Sequence, residues 1–156
     1  MKSAALLLAL LLAQVACAAQ GTIFFYNHVP AVSLDAPVFD TDGQSLLFGD
    51  RFQAQLYAGA DANSLVPVGF AASFSLNAGY WNSWDDSLTR IIPGVDPGEN
   101  AFCQVKVWSL LKGSTYDQVV AAGGKHGESI IFSALTGGAP GSDTQPPGFP
   151  GYLTGL

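Results

Sequence analysis

A chain of 156 residues can bury a core as one domain, and its 18 glycines, 9 prolines and only 12 % charged residues exclude a coiled coil or an array of long helices. The formal net charge is −6. The basic residues Arg51, Arg90, Lys106, Lys112 and Lys125 are scattered, so no basic patch is present for a phosphate backbone, and nucleic acid is not an expected partner.

The chain opens with Lys2, a leucine-rich apolar run from Ala4 to Ala13, and the small residues Ala16, Cys17, Ala18 and Ala19. That order of charge, apolar stretch and small residues is what a signal peptidase reads. The run breaks at Gln14 and again at Gln20, short of the roughly 20 apolar residues a membrane-spanning helix needs. Residues 1–19 are therefore expected to be a cleaved signal peptide, with cleavage after Ala19 or Ala18, no transmembrane span in the mature chain, and an extracellular or envelope address. Cys17 opens a lipoprotein alternative, opposed by Gln14 at a place where such signals carry a large apolar residue. Without Lys2 the chain has five Lys and Arg against 12 Asp and Glu, a net charge of −7. Cys103 is then the single cysteine, which precludes an intramolecular disulfide, and its neighbours Phe102, Val105 and Val107 suit a thiol packed as a small hydrophobe.

Thr22 to His28 is the first expected strand, and Ala36 to Phe39 a second, ended by the turn sequence Asp40–Gly43. Phe52, Ala54, Leu56 and Ala58 alternate with Gln53, Gln55 and Tyr57, the period of a half-buried strand. Further strands are expected over Val66 to Phe74, with Pro67 near its start, over the aromatic stretch Gly79 to Trp84, and over Ser87 to Ile92. Ala101 to Ser109 alternates most clearly, with Cys103, Val105 and Val107 on one side and Phe102, Gln104, Lys106 and Trp108 on the other. Thr115 with Gln118 three residues on makes a capping box, and Gly123 a stop, so residues 115–122 are expected to form one short helix burying Tyr116, Val119 and Val120. Ser129 to Leu135 is the last strand, followed by a Gly and Pro-rich segment over residues 137–156. Seven or so short strands in residues 20–136 point to an all-β, antiparallel sandwich, Ig-like or jelly-roll-like, with a barrel as the alternative.

The segments GTIFFYNHV, DAPVFDTDG, FQAQLYAGADANSL, GYWNS, TRIIPGVDPG, FCQVKVW, TYDQ with AAGGKHG, and the closing LTGL together resemble a family of secreted bacterial proteins. Its members usually continue into a PEP-CTERM tail, a Pro-Glu-Pro motif, apolar helix and basic end used for sorting to the envelope. The resemblance covers the chain from Gln20 onward and implies export; it carries no activity and no catalytic residue. No Pro-Glu-Pro motif occurs within these 156 residues, so the expectation is a chain released freely or lacking its tail.

Three constellations bear on chemistry. A nucleophilic serine elbow would read GxSxG, and Ser129 stands in GESII, which fails at the last glycine. His28 and His126 have no cysteine or carboxylate at metal-ligand spacing, and the adjacent Asp85 and Asp86 would point to opposite sides of a strand, so no catalytic residue is assigned. Asp40, Asp42 and Asp50 surround the DTDG turn and are candidates for a structural calcium ion, although Gly43 is misplaced for an EF-hand, and turn chemistry is the competing reading. Tyr80, Trp81 and Trp84, beside Asn82, Asp85 and Asp86, offer flat rings next to hydrogen-bonding groups, as a sugar-binding platform requires; packing in the core is the competing reading. The expected function is that of a secreted, non-enzymatic β-sandwich with an envelope-associated structural or interaction role, its partners polysaccharide or envelope components. The alternatives are a carbohydrate-binding module using the aromatic platform and, more distantly, a hydrolase of a kind these motifs do not reveal.

Overall fold

The computed structural model describes residues 20–82 and 89–138. The two clearest alternations in the chain become the two longest neighbours of its main sheet. In β4 (Gly49–Gly59) and β8 (Asn100–Ser109), Ala54, Leu56 and Ala58 lie opposite Val107, Val105 and Cys103, and all of these side chains face inward. The other parity sends Gln53, Gln55 and Tyr57 outward beside Trp108, Lys106 and Gln104. Period-two patterning thus sets which face is dry before any loop is placed.

On the far side of β4 runs β5 (Val66–Asn77), which is followed by β6 (Tyr80–Asn82); beyond β8 lie β9 (His126–Glu128) and β10 (Phe132–Leu135), both paired to it. The order across this six-stranded antiparallel sheet is β10-β8-β4-β5-β6, with β9 on the same edge of β8 as β10. A smaller layer of β1 (Thr22–Phe24) paired with β7 (Thr89–Ile91) covers the inner face, and a hairpin of β2 (His28–Val29) and β3 (Leu34–Asp35) flanks it around a 3-10 turn at Pro30–Val32. One cluster, including Ile23, Phe25, Val38, Leu47, Leu56, Phe74, Trp81, Ile92, Cys103 and Val105, fills the space between the layers. The chain is an all-β antiparallel sandwich, as its sequence indicates, with two unequal layers and no barrel closure.

Local departures have local causes. Thr22 to His28 is not one strand: β1 ends at Phe24, and the side chain of Asn27 turns inward and bonds to two other segments, at Ala36 and at Gly79–Trp81. Ala36 to Phe39 does not form a strand; Val38 and Leu47 exchange one backbone hydrogen bond, and Phe39 pairs with Leu46 in an isolated bridge. β5 continues past Phe74 to Asn77, and in its middle the register against β4 slips where Gly69, at φ +65°, bends the chain around the packed Arg90 side chain.

The helix α1 (Tyr116–Ala121) is shorter than residues 115–122 by its two caps. Thr115 Oγ1 accepts from the Gln118 amide, while Gln118 Oε1 accepts from Ser114 rather than closing on Thr115. Tyr116 and Val119 pack under it on Trp108, but Val120 is 41 % exposed, because one residue further round a two-turn helix already points to solvent. No helix among the described residues is long and apolar enough to cross a membrane. The Gly and Pro-rich segment lies outside the described residues except for Gly137 and Gly138, of which Gly137 pairs with Thr22.

Candidate functional site

The site is built on a Tyr-Asn-His run. Asn27, 1 % exposed, donates through Nδ2 to the carbonyls of Ala36 and Gly79, both at 2.9 Å, and accepts from the Trp81 amide at 3.2 Å. With the middle residue anchored inward, Tyr26 and His28 turn outward on either side of it. Gly79, at φ +83°, makes the turn from β5 to β6 that delivers its carbonyl to Asn27, and β6 then presents Tyr80 outward and Trp81 inward. Three parts of the chain, around Asn27, Ala36 and Gly79–Trp81, meet through one amide side chain.

Around this anchor, Tyr26, His28, Asn77, Ala78 and Tyr80 line an open cavity of about 440 Å³ with Trp81 at its floor. The His28 and Tyr80 rings are 4.7 Å apart and tilted by 50°. Asp35 fixes both: Tyr80 donates its hydroxyl to Asp35 Oδ1 at 2.6 Å, and His28 Nδ1 stands 3.4 Å from the same oxygen. The tyrosine hydroxyl, with His28 adding to it, holds the Asp35 carboxyl below its ordinary 3.8, while the same bond pushes the Tyr80 phenol up, so Tyr80 acts as a donor and not as a phenolate. The Asn77 side-chain amide, on the wall of this cavity, makes no hydrogen bond among the described residues.

Of the aromatic residues singled out in sequence, the structure keeps Tyr80 at the surface and corrects the place of Trp81. Trp81 is 3 % exposed, stacked on Phe25 at 4.7 Å and edge-on to Phe74, with its indole N–H donating to the Phe25 carbonyl at 3.0 Å. Its ring is buried in the core, so it supports Tyr80 from beneath instead of offering a platform. Trp84 lies outside the described residues. Tyr26, His28 and Asp35 were not legible as a site, because nothing local ties them to Tyr80; Asn77 is tied to it, three residues before it and paired with it across the β5–β6 turn.

The three candidate calcium ligands are not brought together. Asp40 is bonded to Lys125 through both oxygens, at 2.7 and 2.8 Å; Asp42 folds back on the turn, accepting from the amides of Gln44 and Ser45 and from the Ser45 hydroxyl; Asp50 stands exposed on β4. These donors hold Asp40 below its ordinary value and bring Asp42 down to about 2, which makes both carboxylates turn and clasp residues. Among the described residues no three His, Cys, Asp or Glu side chains gather as a metal site. Cys103 is fully buried and its thiol is pushed up to about 12 by desolvation, so it is inert as a nucleophile. A second cavity, beneath the Lys125–Asp40 pair and lined by Phe39, Leu47, Phe52 and Val107, measures about 40 Å³. That is room for a water or two and not for a sugar ring.

Family models, curated proteins and solved structures were all compared with the chain, and none matches it. Its function is therefore argued from its own residues.

Proposed function

We propose that the protein is an exported, non-enzymatic interaction module that binds carbohydrate in the Tyr26–His28–Tyr80 cavity. The observation that carries this reading is the cavity itself: three ring side chains, two of them fixed by Asp35, beside an unengaged Asn77 amide, in a volume that holds one or two sugar rings. Apolar C–H faces of a sugar stack on such rings, and its hydroxyls exchange hydrogen bonds with an amide and a histidine. Tyr80 and His28 are held by hydrogen bonds to Asp35 at the surface, and the backbone beneath them by the buried Asn27 bonds, so less side-chain freedom is lost when a ligand enters. Export rests on the signal-like residues 1–19, and an envelope address on the family resemblance. A hydrolase of the acid-and-base type would need a second carboxylate; among the described residues, Asp35 is the one carboxylate hydrogen-bonded to the rings of this cavity.

The test is retention on immobilised polysaccharides by Tyr80→Ala and His28→Ala, with Phe70→Ala, a ring 79 % exposed outside the cavity, as the control. Loss of retention in the first two with the melting temperature kept, and none in the third, is expected. Equal retention in all three would refute the cavity as the binding site.

A further inference from the structure

The hydrogen-bonding sense of the Tyr80 cavity is set by a residue outside its walls. Asp35 stands on β3 opposite His28 in the small hairpin, with its side chain 64 % exposed. Its carboxyl is held below the ordinary 3.8 by the Tyr80 hydroxyl and by His28, so at neutral pH it is an anion that accepts hydrogen bonds and cannot donate them. Two consequences reach the cavity. Tyr80 has one hydroxyl proton and gives it to Asp35 Oδ1 at 2.6 Å, so towards a ligand its oxygen can only accept. His28 Nδ1 stands 3.4 Å from the same oxygen, an approach that is favourable when Nδ1 carries the proton of the neutral ring. That leaves Nε2, the other nitrogen of a ring that lines the cavity, as a second acceptor.

The remaining polar groups of the lining do not reverse this sense. The Tyr26 hydroxyl and the Asn77 side-chain amide make no hydrogen bond among the described residues, and each can donate as well as accept. No lysine or arginine is among the residues that line the cavity. Arg90 is 3 % exposed and is engaged by the Phe70 carbonyl and the Phe25 ring, so it does not reach a ligand there. A sugar hydroxyl suits all four lining groups, because it donates and accepts at once. A carboxylate or a sulfate only accepts. It would set its oxygens against the lone pairs of Tyr80 and His28, with the Asp35 charge behind them and no cation to offset the water it gives up.

We infer that Asp35 determines the specificity of this site, and that its ligand is an uncharged, hydroxyl-rich glycan, uronic and sulfated chains being rejected. The inference rests on the sugar reading of the cavity and adds the class of sugar to it. Asp35 is a positioning residue: it acts through Tyr80 and His28 by fixing which way their hydrogen bonds run, and its own charge works in the same direction. The net negative charge of the whole chain also disfavours anions, but salt screens it beyond about 10 Å, whereas a carboxylate one hydrogen bond behind the cavity wall is screened far less.

The test is calorimetric titration with pairs of oligosaccharides that differ only at C6: manno-oligosaccharides against oligomannuronates of the same linkage, and cello-oligosaccharides against their C6-oxidised forms. The neutral member is expected to bind about tenfold or more tightly than its acidic counterpart. That ratio should fall toward one in Asp35→Asn and hold in Asp50→Asn, which removes an equal charge from an exposed position on β4. Uronates that bind as tightly as their neutral counterparts overturn the inference and leave the sugar reading standing. So does a ratio that Asp35→Asn leaves unchanged, or that Asp50→Asn lowers equally. No binding by any member removes the sugar reading and this inference together. A further readout needs neither a variant nor a sugar: in the ligand-free chain at about pH 8, the ring-nitrogen resonances of His28 should show the proton on Nδ1. A proton on Nε2 overturns the inference, whatever the sugars do.

Discussion

Trp81 and Trp108 occupy opposite faces of the same sheet, at 3 % and 2 % exposure, and differ in one hydrogen bond. Trp81 donates its indole N–H to the Phe25 carbonyl and sits in the main cluster between the layers. Trp108 packs against Tyr116 and Val119 under the short helix, and its indole N–H has no acceptor among the described residues. The inner indole is therefore held by shape and by a directed bond together, and the outer indole by shape alone. It is the inner face that holds the candidate site in place, because Asn27 joins the backbone of Trp81, Gly79 and Ala36 in one network and so fixes the strands from which the rings of the cavity project.

The largest way to break this contrast is Trp81→Ala, which is expected to cost about 3–5 kcal/mol and to unfold a large share of the chain at physiological temperature, as read by chemical denaturation. Next comes Asn27→Ala. It strands two buried carbonyls and an amide, at an expected cost of about 2–3 kcal/mol, and should weaken binding at the Tyr80 cavity even where the fold persists.

A matched pair sharpens the comparison further. Trp81→Phe leaves the Phe25 carbonyl without its donor and should cost about 1–3 kcal/mol, whereas Trp108→Phe removes a donor that already lacks a partner and should cost less than about 1 kcal/mol, despite equal burial. Equal costs would mean that the indole bond contributes nothing and packing decides both sites.

On the outer face, Lys106 lies over the rings of Tyr57 and Tyr116 at 4.5 and 4.7 Å and 3.9 Å from Glu128, so Lys106→Met should cost about 1 kcal/mol, with little dependence on salt because the rings and not the carboxylate hold the ammonium. The smallest effect is that of pH. Asp35, Asp40 and Asp42 are all held below 3.8, Asp42 at about 2, so the folded state binds protons less readily than the unfolded one; their contribution is full above about pH 4 and is lost as pH falls through that window toward 2. Thermal melts from pH 5 downward should show it, and Asp42→Asn should flatten the profile.

What was legible in the sequence follows the same division. The strands whose side chains alternate strictly, β4 and β8, were readable with their faces, since period-two burial is a local property, and so were the Thr115 cap, the Gly123 stop and the buried Cys103. The first strand was read too long because Asn27 looks like any polar residue until Ala36, Gly79 and Trp81 surround it. Nor could the calcium reading foresee Lys125, which reaches Asp40 from 85 positions away. Trp81 and Tyr80 are adjacent and equally aromatic, and only the parity of β6 sends one to the core and the other to the surface. The Ser129 hydroxyl that accepts from the Val105 amide was hidden for a similar reason: a side chain that replaces a ladder partner leaves no mark on the hydrophobic pattern.

The central claim is that the Tyr26–His28–Tyr80 cavity takes a sugar, and it is met most directly by titrating soluble oligosaccharides into the isotope-labelled protein and following its aromatic and amide resonances. The account predicts saturable shifts confined to Tyr26, His28, Asn77 and Tyr80, absent in Tyr80→Ala. Shifts that gather elsewhere, or none with any oligosaccharide, would contradict it.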